Sequence, residues 1–246
     1  MKHAPASTCT LALLLLAACS GSDGGNSSTP AAPVAAVTAP AGQNWTETVS
    51  KTAEGYVMGN PNAPIKLVEY GARTCPTCAA FARDAFGPLT QNYVASGKVS
   101  FEFRDFMVHG PSDIALALVG TCGSPATFFP ILEQQYANQE QFLNKLQTLS
   151  PAAQQALQGQ SPSQQAAALA DAMGAVDFVK ARGLPEPQAR ACLSDAAKLE
   201  AIVKPTETAG AAGTVTGTPT FLINGAVVPN ALSWAQLEPA LKRAGA

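Results

Sequence analysis

The sequence predicts an α/β fold in which short strands near both ends of the folded chain enclose a long helical middle. Three observations carry this. Ile65 to Tyr70 is an apolar and aromatic run of strand length, set off by the turn-forming stretch Gly59-Asn60-Pro61-Asn62-Ala63-Pro64. Thr220 to Ile223 and Ala226 to Val228 flank Asn224-Gly225, the strongest short signal for a β-hairpin. Between these signals, after a strand at Val99 to Phe106, about a hundred residues rich in Ala, Gln and Leu show helical spacing broken at Gly and Pro.

The chain has 246 residues, of which 47% are apolar and 13% charged, enough for one core with an insertion. A net charge of -2 with scattered Lys and Arg gives no basic stripe, which excludes a nucleic-acid partner. At the N-terminus, Lys2 followed by the short apolar segment Leu11 to Ala18 reads as an export signal over residues 1–18. Its end, Leu16-Ala17-Ala18-Cys19, resembles the lipobox of bacterial lipoproteins. That resemblance implies lipid on Cys19, a mature chain anchored to a membrane through lipid only, and a periplasmic or other extracytoplasmic location. Residues 19–43 follow as anchor and tether: Ser20 to Gln43 holds almost no large apolar residue and cannot offset chain entropy by burial.

With Cys9 in the signal and Cys19 lipidated, four cysteines remain: Cys75, Cys78, Cys122 and Cys192. In an oxidising compartment an even number suggests two pairs.

After the strand at Ile65 to Tyr70, the residues Cys78, Ala82, Ala85, Phe86, Leu89 and Tyr93 recur at spacings of three and four, and Pro88 should kink or split their helix. Cys75-Pro76-Thr77-Cys78 therefore stands where a strand passes into a helix. Free N–H groups and the dipole at a helix start favour an anion, so the Cys75 thiolate is stabilised, nucleophilic and a good leaving group. Cys78, one turn inward, can close a disulfide or resolve a mixed one. The expectation is Cys75 exposed and attacking, Cys78 buried and resolving. Pro76 suits the first helical position, and Thr77 helps set how many donors face the Cys75 sulfur.

A bare CxxC is also compatible with a zinc half-site, a structural disulfide or coincidence. Zinc fits poorly, because Cys122 and Cys192 are far apart and His109, in a loop, reads as a lone polar residue. No metal and no cofactor is expected.

The companion segment is Gly217-Thr218-Pro219-Thr220, with Pro219 opening the strand of the hairpin. Together with the Gly59–Pro64 turn, Val68-Glu69-Tyr70, Cys75-Pro76-Thr77-Cys78 and Asn224-Gly225, in that order, it resembles the DsbA-like branch of the thioredoxin superfamily from about Gly55 to the C-terminus. The resemblance implies a thioredoxin fold with an inserted helical domain: core over 44–110 and 206–246, insertion over 111–205. It further implies a cis Thr218–Pro219 bond against the active-site cysteines, with the Thr218 backbone pairing to substrate. Glu69 would be a buried acid acting on the resolving thiol, with Arg104 as the nearest charged neighbour; a strand-end carboxylate reaching solvent is the alternative. Cys122 and Cys192 would form a second, structural or redox-tuning disulfide, worth about 4 kcal/mol by loop entropy, or else remain two buried thiols.

In the middle, helices are expected at Asp113–Val119, Phe128–Leu149, Pro162–Ala172 and Ala175–Arg182. Ser233 and Gln236 form the capping-box signal of a last helix, which Pro239 should kink or delay. The functional expectation is thiol–disulfide exchange by a monomer, most simply as an oxidase of exported cysteine-containing proteins that a membrane redox partner reoxidises. A reductase or isomerase, and a non-catalytic module of the same fold, are the alternatives.

Overall fold

The computed structural model describes Met1 and residues 31–246. The expected signal segment and the lipidation residue Cys19 lie outside the described residues. Six strands form one sheet: β1 (Val49–Lys51), β2 (Tyr56–Met58), β3 (Ile65–Gly71), β4 (Val99–Asp105), β5 (Thr220–Ile223) and β6 (Ala226–Val227). Their order is β1-β2-β4-β3-β5-β6, with β3 and β4 parallel and every other pair antiparallel. The first two strands carry no sequence signal because three residues are too few to show alternation. They persist by pairing along β4.

β3 lies between β4 and β5, which explains its nearly unbroken apolar run: both of its faces are covered. Its even-spaced residues Ile65, Leu67 and Glu69 share the face that packs on α1 (Pro76–Pro88) and α3 (Phe128–Ala137). The expected split at Pro88 is present. The chain continues from Leu89 to Val94 as a wider, π-type helical turn, because Pro88 has no N–H to give. The hairpin turn Asn224-Gly225 has both residues at positive φ, 50° and 83°.

The middle of the chain folds into α2 (Pro111–Gly120), α3, α4 (Gln139–Gln147), α5 (Pro151–Leu157), α6 (Pro162–Met173), α7 (Ala175–Lys180), α8 (Glu186–Ser194) and α9 (Ala196–Ala211). The single stretch expected at Phe128–Leu149 is two helices, parted at Asn138. α5, α8 and α9 were not expected; the first two carry several Gln, Pro or charged residues and only a weak apolar stripe. A core of its own, with Leu116, Phe142, Ala170, Met173 and Leu193 at its centre, holds these helices together apart from α3, which packs on the sheet core through Phe128, Phe129 and Leu132. The boundary expected at 205 falls inside α9, which runs through a buried Pro205. Cys122, after α2, and Cys192, in α8, are joined by a disulfide with 6.0 Å between Cα atoms.

α10 (Trp234–Arg243) buries Leu237 and Leu241 on the sheet core. Two expectations fail here. The helix starts at Trp234, so Pro239 lies within it and does not delay it, and the Ser233 hydroxyl caps no amide but donates to Gln236 Oε1.

The expectation of a free tether over residues 19–43 does not hold for residues 31–37. Ala31 and Val34 donate to the carbonyls of Arg243 and Gly245, and Val37 donates to Ser96 O at 2.9 Å. Trp45 Nε1 donates to Val37 O at 2.6 Å. Gly97 permits this close approach, since a Cβ there would come 2.3 Å from Val37 O. Small residues that offer little to bury can still dock by backbone hydrogen bonds, which composition does not reveal.

Candidate active site

Cys75 is the N-cap of α1, with extended φ and ψ of -79° and 117°, and Pro76 follows in the first helical turn. The Cys75 sulfur accepts from the Cys78 amide at 3.4 Å. Its own S–H lies 3.4 Å, donor to acceptor, from the carbonyl of Thr218. The Thr218–Pro219 peptide is cis, and Thr218 and Cys75 meet although 143 residues apart in sequence.

The exposure expected of Cys75 is corrected: it is 7% exposed and Cys78 is 0% exposed, while Pro76 and Thr77 between them stand out to solvent. Docking on the Thr218 loop covers the first sulfur without sealing it. Both cysteines are free thiols.

The two thiols differ sharply. Hydrogen bonding from the Cys78 thiol, supported by the Thr218 side chain and the amides of Cys78 and Thr77, outweighs burial and pulls Cys75 down to about 5. Burial, the hydrogen bond with Cys75 and the nearby Glu69 charge push the Cys78 thiol well up. At neutral pH the pair is one thiolate and one thiol.

Glu69 is 3% exposed, which excludes the solvent-reaching alternative. Burial first, and the charge of Cys75 second, raise its carboxyl to about 8. Among the described residues no cation pairs with it. Arg104 lies opposite Tyr70 rather than Glu69 in the β3–β4 register, and bonds to Tyr70 Oη (2.9 Å) and Glu102 (3.0 Å). The alternation of side chains along a strand puts it on the other face.

Further residues were not legible in the sequence. The loop Ala72–Cys75 is clamped by buried polar groups from four elements, β4, α2, α3 and α4. Arg73 forks onto Asp105 at 2.7 and 3.0 Å, reaches Gln135, and lies over the Phe128 ring. Gln139 Nε2 donates to the carbonyls of Arg73 (2.9 Å) and Cys75 (3.0 Å). Asp113 accepts from the Thr74 amide and hydroxyl and from the His109 amide, at 2.7 to 2.9 Å. His109, expected to be a lone polar residue, also meets Thr74 Oγ1 through Nδ1 at 2.7 Å. Each clamp residue is polar in an unremarkable local context, so only the fold could reveal it. Among the described residues, no group of three or more His, Cys, Asp or Glu stands together as a metal site would require.

A parallel strand pair feeding a helix that begins at a CxxC, faced by a cis-proline loop and flanked by a separate helical layer, defines a thioredoxin-fold protein with a helical insertion. The thioredoxin family model matches residues 51–243, and the chain belongs to that family. Over 62 residues it is 36% identical to disulfide bond formation protein D of Bacillus subtilis, covering 25% of this chain and 28% of that one. A Rickettsia felis protein with a provisional assignment as a protein-disulfide oxidoreductase is 24% identical over 179 residues, 71% of this chain and 54% of that one. The chain thus spans about half the length of the Rickettsia relative and about a quarter of the Bacillus one. The crystal structure of a protein-disulfide isomerase from Novosphingobium aromaticivorans is 31% identical with a TM-score of 0.73, covering 78% of this chain and 97% of the other. The family and fold expected from the motifs are borne out.

Proposed function

We propose that this chain is an exported thiol–disulfide oxidoreductase whose Cys75–Cys78 disulfide is donated to cysteine-containing proteins. The observation that carries the reading is the asymmetry of the pair: a thiolate held at the helix start beside Thr218, backed by a buried thiol beside a buried acid.

The cycle follows from that asymmetry. A client thiolate attacks Cys75, forming a client–Cys75 disulfide and releasing Cys78 as a thiolate. A second client thiolate then attacks the client sulfur of that bond and expels Cys75 as a stable thiolate, leaving the client disulfide and a reduced pair. Glu69 supplies or accepts the proton at Cys78, and the Thr218 backbone pairs with the client as an added strand. The chain names no oxidant of its own, so reoxidation falls to a membrane redox partner. Cys122–Cys192 ties α8 to the end of α2 and serves as a structural or redox-tuning bridge of the insertion.

The direction of electron flow rests on Cys75. Holding it as thiolate at about 5 stabilises the reduced form, which makes the disulfide oxidising. The Novosphingobium protein's name favours isomerase as the second reading. Equilibration of the Cys75–Cys78 pair with glutathione separates them. An oxidase has a potential well above the roughly -270 mV of thioredoxin, and a value near thioredoxin rejects the oxidase.

Export and lipidation rest on Lys2–Cys19. No helix among the described residues is long and apolar enough to cross a membrane. Mass spectrometry of the mature protein is expected to give an acylated Cys19 at the N-terminus. An unmodified N-terminus rejects the anchor.

A further inference from the structure

We propose that Glu133 of the helical insertion is the proton outlet of the buried redox site, exchanging protons with Glu69 through one water held between β3, α1 and α3. The inference deepens the exchange reading above and rests on it.

Glu69 Oε1 is buried and has no hydrogen-bond partner among the described residues. Buried polar atoms are almost always paired, so an orphan carboxylate oxygen calls for a water. A cavity of about 10 Å³ adjoins it, which is room for a single water. Its walls are apolar, Phe81, Phe86 and Leu132 among them, except for three polar side chains: Glu69, Glu133 and Tyr136. Three polar partners suit one buried water.

Of the two possible proton acceptors beyond the water, Tyr136 is unsuited. Its hydroxyl lies 3.3 Å from Ala72 O, and burial pushes it well above its ordinary value. Glu133 is half-buried at the outer side of the cavity, and forms no ion pair among the described residues. Burial raises its carboxyl as well, bringing it toward Glu69 and easing transfer between them. The other charged groups near Glu69 offer no alternative. Arg73 is committed to Asp105, Arg104 is on the opposite face, and Cys75 and Cys78 are the reacting atoms.

Protons and electrons balance as follows. When a client thiolate attacks the Cys75–Cys78 disulfide, the S–S electron pair leaves on Cys78. That thiolate takes the Glu69 proton, and Glu69 regains one from solvent by way of the water and Glu133. When Cys78 instead attacks a mixed disulfide, the same proton leaves by the same path.

The test is single-turnover exchange with a cysteine-containing peptide across pH, together with the reduction potential, on wild type, Glu133→Gln, Glu133→Asp, Glu69→Gln and the double Gln variant. Glu133→Gln is expected to slow the proton-limited step about tenfold with the potential unchanged, and Glu133→Asp to restore much of the rate. The double variant should be no slower than Glu69→Gln alone. Wild-type rates in Glu133→Gln overturn the proposal, as does a double variant slowed by the product of the single effects. If Glu133→Gln shifts the potential, the residue is structural and the proposal also fails. Loss of the underlying reading shows differently: exchange would then persist in Cys75→Ser.

Discussion

Cys75→Ser abolishes disulfide exchange, and Cys78→Ser leaves a protein that attacks client disulfides and stays attached to them. The two outcomes differ because the two sulfurs differ. Cys75 has the helix-start amides and the Thr218 loop beside it, so it is the sulfur held as thiolate, and at 7% exposed it is the more accessible of the two. Removing it takes away the nucleophile, and the loss is at least about 10³-fold, as for other nucleophiles that act as a unit with their neighbours. Cys78 is wholly covered, so an outside disulfide cannot reach it and it does not substitute for Cys75. Without Cys78, the mixed disulfide on Cys75 has no internal thiol to resolve it. Incubating each variant with a disulfide-bonded peptide and reading the products by non-reducing mass spectrometry checks both. An attached peptide in Cys75→Ser, or free turnover in Cys78→Ser, contradicts the assignment of roles.

The parts of the site that the sequence displayed are those made by neighbours in the chain. A CxxC three residues apart, between a strand run and a helical stripe, states its own geometry, and Thr218-Pro219 stands out because a hairpin signal follows it at once. The clamp on the Ala72–Cys75 loop is of the other kind. Arg73, Asp105, Asp113, Gln135 and Gln139 come from a loop, a strand and three helices, and each is an ordinary polar residue where it stands. Their meaning is pairing across long separations, such as the 64 residues from Gln139 to the Cys75 carbonyl. The helical insertion explains much of this, because α2, α3 and α4 supply the groups that hold the loop. The same logic accounts for β1 and β2, which exist by pairing, and for residues 31–37, which dock through backbone atoms that every sequence has.

Glu69→Gln flattens the pH dependence of stability in the oxidised protein. In the dithiol the buried carboxyl titrates near 8 against 4.5 unfolded; the disulfide removes the Cys75 charge but keeps burial, the larger cause, so above 4.5 the folded state still binds a proton that the unfolded state has lost. Stability is therefore full below about 4.5 and falls as pH rises toward 8. In the dithiol a difference of that size in a fully buried group corresponds to about 5 kcal/mol, of which the disulfide keeps the part due to burial. In the reduced protein Cys75 works in the opposite sense. Its folded thiol titrates near 5 and its unfolded thiol near 9, so it adds stability as pH rises through that range. The two slopes oppose each other in the dithiol and only the Glu69 slope remains in the disulfide. At pH 8, accordingly, the reduced protein is the more stable form, which is the thermodynamic signature of an oxidising disulfide. Urea unfolding of both redox forms from pH 4.5 to 8.5 measures this directly. The oxidised wild type should lose stability across the range, and oxidised Glu69→Gln should not. Equal slopes in the two would mean that Glu69 titrates alike folded and unfolded, and would remove the buried acid from the chemistry at Cys78.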